Sequence, residues 1–335
     1  MQSILVNVAA AMIPVLLFLG VLVFIDSYKL VKLRSILFSI ALGCLIAALL
    51  FAAIELIPAF PSGSTIYKRY GAPIIEESLK ALFLIYLIRS RRVGFMVDAA
   101  IQGFAVGAGF ALFENIYYLE SLNETHLLLW IVRGFGTAVM HGGTTAIVGI
   151  VSKSFSDVKD STAFVVFVPG LLAAIFIHSL FNHVILPPVT LTIVVLLSLP
   201  VLILGAFARS ERTTRQWLGV GFDNDAELLT MVTTGGIAKT RIGRYLDSIQ
   251  SNFRGEVVAD MLCYLRIYLE LAIQAKGILM MRESGFHVDP DPMVQAKFDE
   301  MTYLQKSIGK TGLLALSPFL RTSDRDLWQM HMLEN

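Results

Sequence analysis

Seven long apolar runs constrain this 335-residue chain more than any other feature. They lie at 4–25, 36–57, 72–88, 95–119, 127–151, 164–186 and 189–208. Each is long enough to cross, or nearly cross, a hydrocarbon core of about 30 Å. Backbone at that depth has no water to bond, so it must be helical or closed into a barrel. Runs of this length are helices, because barrel strands need only about ten residues. The expected fold is therefore all-α: a polytopic membrane protein of about seven transmembrane helices. Residues 209–335 form a more polar helical C-terminal domain that is expected to be cytoplasmic. The composition agrees, with 56% hydrophobic and 16% charged residues. A net charge of +1 argues against a nucleic-acid footprint. Cys44 and Cys263 fall in different segments and form no framework. The Met-Gln-Ser start lacks a basic region and a cleavage site, so the first run reads as a retained span.

Basic residues set the orientation. Lys29, Lys32 and Arg34 follow span one, and Arg89, Arg91 and Arg92 follow span three. Lys153 and Lys159 follow span five, and Arg209, Arg212 and Arg215 follow span seven. The opposite side has Lys68 and Arg69, with Glu120 and Glu124 in its next loop. The N-terminus is expected outside and the tail in the cytoplasm. Pro58, Pro61, Pro187 and Pro188 end spans or make turns. Gly103 and Gly107 in span four make a G-x-x-x-G packing step.

Span three carries Glu76, Glu77 and Lys80. An ionised group inside a membrane costs about 2.5–3.5 kcal/mol on insertion scales, so such residues are rare and default to function. Helical spacing puts Glu76 and Lys80 on one face. A buried ion pair that merely fixes packing is the plainer alternative. Other spans add Glu114, His141, and His178 with Asn182 one turn later. By span direction, Glu76, Glu77, Glu114, His178 and Asn182 fall in the outer half of the membrane. His141 sits nearer mid-span, as a floor. Arg133 is expected to pair with Glu114, Glu120 or a headgroup, and Asp98 to answer Arg91 or Arg92.

These residue types suit hydrolysis of an amide bond. A buried glutamate can take a proton from water, and His178 or Asn182 can stabilise the oxyanion on the scissile carbonyl. Alternatively, Glu114, His141 and His178 could bind a divalent metal such as zinc. A proton- or ion-coupled transporter, or a non-catalytic receptor, would use the same buried groups.

The residues Glu76-Glu77-Ser78-Leu79-Lys80 resemble the EExxK motif of the PrsW family of intramembrane proteases, within the wider CAAX-prenyl protease and bacteriocin-immunity superfamily. Phe110-Ala111-Leu112-Phe113-Glu114 resembles its FxxxE motif. His141 and His178-x-x-x-Asn182 resemble its later histidine motifs, in the same order. The resemblance spans about residues 70–185 and implies an intramembrane-protease domain at 1–208. It also implies cleavage of a membrane-tethered protein, such as an anti-sigma factor, near the extracytoplasmic side. Catalytic roles are then expected for Glu76, Glu77, Lys80, Glu114, His141, His178 and Asn182. Glu76 would be the base, with no cofactor required and zinc as the minority alternative.

The tail has no run long enough to cross a membrane. Asn224-x-x-Glu227 resembles a capping box. Helices are expected at 239–252, at 256–283 with Gly285 as the stop, and after the Asp289-Pro290-Asp291-Pro292 turn. Its role is open between binding a cytoplasmic partner and self-association.

Overall fold

The computed structural model describes residues 2–57, 63–121, 126–286, 288, 291–320 and 324–334. Pro58, Pro61, Glu124, Asp289 and Pro290 lie outside the described residues. No strand occurs among the described residues. The chain divides into two compact units, Met1–Glu211 and Arg212–Asn335.

The first unit contains α1 (Gln2–Ile25), α2 (Leu33–Leu56), α3 (Ala72–Arg89), α4 (Met96–Ser121), α5 (Leu127–Val132), α6 (Val139–Lys159) and α7 (Val168–Asn182). Helix α8 (Pro188–Thr233) begins in it. A π-helical turn, Arg133–Ala138, joins α5 to α6. Six of the described helical segments are long and apolar enough to cross a membrane, the α5–α6 segment among them. The third expected span, α3, is not one of these six. Its eighteen residues rise about 27 Å, but Glu76, Glu77, Lys80 and Arg89 make it too polar by composition. The bundle resolves this by turning Glu76, Glu77 and Lys80 inward, where all three are buried.

Helix α4 is the axis of the unit. Every residue from Met96 to Ala111 is buried, whereas α1, α2, α7 and α8 expose leucines, valines and phenylalanines that would face lipid. Its glycines let neighbours approach. A Cβ on Gly107 would collide with the His141 carbonyl oxygen, and one on Gly103 would lie 2.6 Å from that of Thr145. The G-x-x-x-G step therefore brings α4 against α6 at the level of His141. On the α2 side, Gln102 bridges Ser35 (2.6 Å) and Ser39.

Two local expectations fail. Among the described residues Asp98 answers no arginine; its carboxylate accepts the backbone N–H groups of Gly94 (2.7 Å), Phe95 (2.8 Å) and Ala99 (3.1 Å) and so caps α4. No helix starts at Asn224, because α8 runs through it to Thr233, ahead of the left-handed Gly235 (φ 73°). The apolar run ends where the apolar composition ends, but the backbone helix has no reason to stop there.

The second unit contains the rest of α8, α9 (Arg241–Gln250), α10 (Gly255–Glu283), α11 (Met293–Leu316) and α12 (Asp324–Glu334). Gly285, at φ 85°, follows the end of α10 as expected. The ammonium of Lys276 is fully buried between Asp225 (2.7 Å) and Gln329 (3.0 Å), over the Trp217 ring.

Candidate active site

Helix α3 emerges from a π-helical turn, Tyr67–Gly71. Pro73 has no N–H to offer the carbonyls of Lys68 and Arg69 one turn earlier. Helix α7 supplies the missing donors. Ser179 Oγ donates to the Arg69 carbonyl (2.7 Å), and Asn182 Nδ2 to that of Lys68 (2.9 Å). One turn back on α7, His178 is buried and turned into the bundle.

Glu77 is the hub. One of its oxygens, Oε1, accepts from Lys80 Nζ (2.6 Å) and from His178 Nδ1 (2.8 Å), and the Thr144 hydroxyl lies 3.3 Å away. Lys80 is fully buried and lies over the Phe110 ring (4.9 Å). It also reaches His141 Nδ1 at 3.1 Å. The ammonium can only donate, so Nδ1 accepts and the His141 proton resides on Nε2. Nε2 then donates to Glu114 Oε2 (3.1 Å). The other oxygen of Glu114 faces Arg133 Nη2 at 3.5 Å. His178 donates through Nδ1 to a carboxylate, so its Nε2 presents a lone pair. That nitrogen lies 3.9 Å from Glu76 Oε2.

One chain of contacts therefore runs from Arg133 through Glu114, His141, Lys80, Glu77 and His178 to Glu76. The two imidazoles stand nearly perpendicular, 4.7 Å apart. Charge divides unevenly along the chain. Glu77 has Lys80 and Glu114 has Arg133, but among the described residues Glu76 meets no lysine or arginine at ion-pair distance, only His178 at 3.9 Å. Its Oε2 is buried without a hydrogen bond.

Six of the seven expected residues thus come together: Glu76, Glu77, Lys80, Glu114, His141 and His178. Asn182 does not join them, because its amide is engaged at Lys68. Lys80 pairs with Glu77, three residues away, although the spacing put it on the face of Glu76. Of the partners named for Arg133, Glu114 is the one it meets. Sequence reasoning overlooked Thr144, whose signal is its place one turn beyond His141 on the same helix face. It also overlooked Ser179, a hydroxyl on a span otherwise rich in aliphatic residues.

Glu76, His141 and His178 each offer a ligand atom within 4.8 Å of the others. That composition matches His₂Glu zinc sites, with Glu76 in place of the expected Glu114.

The fold and site define a polytopic helical membrane protein with a buried cluster of carboxylates, imidazoles and a lysine. Residues 32–206 match the family described as PrsW family intramembrane metalloprotease. The chain belongs to the PrsW family of intramembrane proteases. No curated protein and no solved structure matches it.

Proposed function

We propose that this chain is an intramembrane endopeptidase that uses Glu76 to activate water, with no metal required. The observation that carries the reading is the isolation of Glu76 among three clustered carboxylates. Its Oε2 is 3.9 Å from His178 Nε2, too far for a direct hydrogen bond and fitting for one bridging water. Such a water donates one hydrogen to each group. Its oxygen attacks the scissile carbonyl carbon as Glu76 takes the proton. Glu76 then returns that proton to the amide nitrogen as the C–N bond breaks. Glu77 and Lys80 fix the orientation and tautomer of His178 and His141. Asn182 enters as a positioning residue that holds the start of α3, not as an oxyanion donor.

Donor chemistry disfavours a bound metal. A ligand histidine needs a free lone pair, but His141 accepts from Lys80 at Nδ1 and carries its proton on Nε2. With that tautomer, Glu76 and His178 are the open members of the Glu76–His141–His178 group, too few by themselves for a zinc site. The substrate class is a membrane-tethered protein of the anti-sigma-factor kind, cut near the extracytoplasmic side. The expected orientation puts this end of α3, α4 and α7 outside.

Proteomic comparison of membrane-protein ectodomains from cells carrying wild-type protein or Glu76→Gln tests the activity. Fragments that depend on Glu76 are expected. Identical fragment sets would end the case for Glu76 as base. Strong chelation should leave cleavage by the purified protein intact. Loss on chelation, restored by zinc, would return His141 to the ligand set.

A further inference from the structure

We infer that Arg133 is a catalytic residue of this site, donating from Nη2 to the oxygen of the scissile carbonyl. The inference rests on the hydrolytic reading above, which leaves the developing oxyanion without a donor. His178 presents a lone pair there, and the Asn182 amide is committed to Lys68.

Arg133 has what the role needs. It opens the π-helical turn Arg133–Ala138 within a longer helical segment, a distortion frequent at functional sites. The turn is pressed against its neighbours. A Cβ on Gly134 would collide with the Ala10 carbonyl oxygen, and one on Gly136 would lie 2.5 Å from Thr192 Oγ1. The guanidinium is held on three sides. Nε donates to Asn115 Oδ1 (2.9 Å), and buried Asn115 is itself tied to the Ala11 carbonyl (2.8 Å). The guanidinium carbon lies 4.2 Å over the Tyr118 ring. Nη2 faces Glu114 Oε1 at 3.5 Å, an ion-pair distance. That nitrogen is buried and forms no hydrogen bond among the described residues. Glu114 meets His141 with its other oxygen, so Arg133 Nη2 adjoins the cluster through Glu114. A fixed, charged donor with unused hydrogens is what an oxyanion requires.

In the first step, water oxygen bonds to the carbonyl carbon and one water proton moves to Glu76. The π electrons of the carbonyl settle on its oxygen, where Arg133 Nη2 donates a hydrogen bond and keeps its proton. The C–N bond then breaks, and the proton held by Glu76 passes to the leaving nitrogen.

The test uses full-length protein in nanodiscs and a single-span peptide chosen from a transmembrane-peptide library for Glu76-dependent cleavage. Arg133→Gln should lower kcat about 10²–10³-fold, leave KM within about twofold and leave the limbs of the pH–rate profile in place. Millimolar guanidinium should restore part of the rate of Arg133→Ala. Wild-type kcat in folded Arg133→Gln would overturn the inference. So would a loss with displaced pH limbs and no guanidinium rescue, which would mean that Arg133 acts only through Glu114. If Arg133→Gln fails to fold, Arg133→Lys decides: lowered kcat in a folded protein supports the role, and wild-type kcat removes it. Absence of any Glu76-dependent peptide would instead refute the hydrolytic reading.

Discussion

Lys80 and Glu76 are buried side by side yet should behave oppositely when altered. Lys80 neutralises Glu77 and orders His141. Lys80→Met would leave a fully buried carboxylate without its cation, and breaking a buried pair costs about 3–5 kcal/mol. Glu76 has no lysine or arginine partner among the described residues, so Glu76→Gln removes charge without orphaning a fixed cation. Thermal unfolding in detergent should show Lys80→Met strongly destabilised and Glu76→Gln at or above the wild type. Cleavage should be lost in both. The opposite stability order would mean that Glu76, not Glu77, is the partner of Lys80. The sequence supported the cluster but not this pairing. Residues three and four apart both reach along a helix, and the choice here is made by His178 and Thr144 on other helices.

At the level of elements, the site depends on how closely α4 and α6 approach. The G-x-x-x-G step was legible as a packing signal, but its partner was not, because spacing within one helix does not name the facing one. Gly107 meets the backbone of His141 itself. Gly107→Ala must therefore push α6 outward and draw His141 away from Glu114 and Lys80. Overpacking of this kind costs about 1–3 kcal/mol, and the cleavage rate should fall with it. Gly205→Ala is the matched control, since nothing lies within 4 Å of a Cβ there. Equal activity and stability in the two variants would show that α4 and α6 can part without harm to the site. Helix α8 marks the opposite limit of sequence reading. Hydropathy located its apolar part but not its continuation to Thr233, because solvent polarity and backbone hydrogen bonding end at different residues.

For the molecule as a whole, the decisive question is which side of the membrane the site faces. The start of α3, the later part of α4 and the last turns of α7 carry Glu76, Glu114 and His178. The orientation expected for these ends comes from the basic loops. Lys29, Lys32, Arg34, Arg89, Arg91, Arg92 and the residues after spans five and seven outweigh Lys68 and Arg69, and the richer side stays in the cytoplasm. On this rule Cys263 is expected inside and the loop before α3 outside. Cys263 is exposed, so it serves as a native probe of the tail. In a Cys44→Ala background, an impermeant thiol reagent applied to intact cells should leave Cys263 unlabelled, and a permeant one should label it. A further chain with Cys263→Ser and Thr65→Cys should take up the impermeant reagent, because Thr65 is exposed ahead of α3. Labelling of Cys263 from outside would invert the molecule. Glu76, the proposed water-activating carboxylate, would then lie in the cytoplasmic half, and the proposed substrates would be membrane proteins cut on that side.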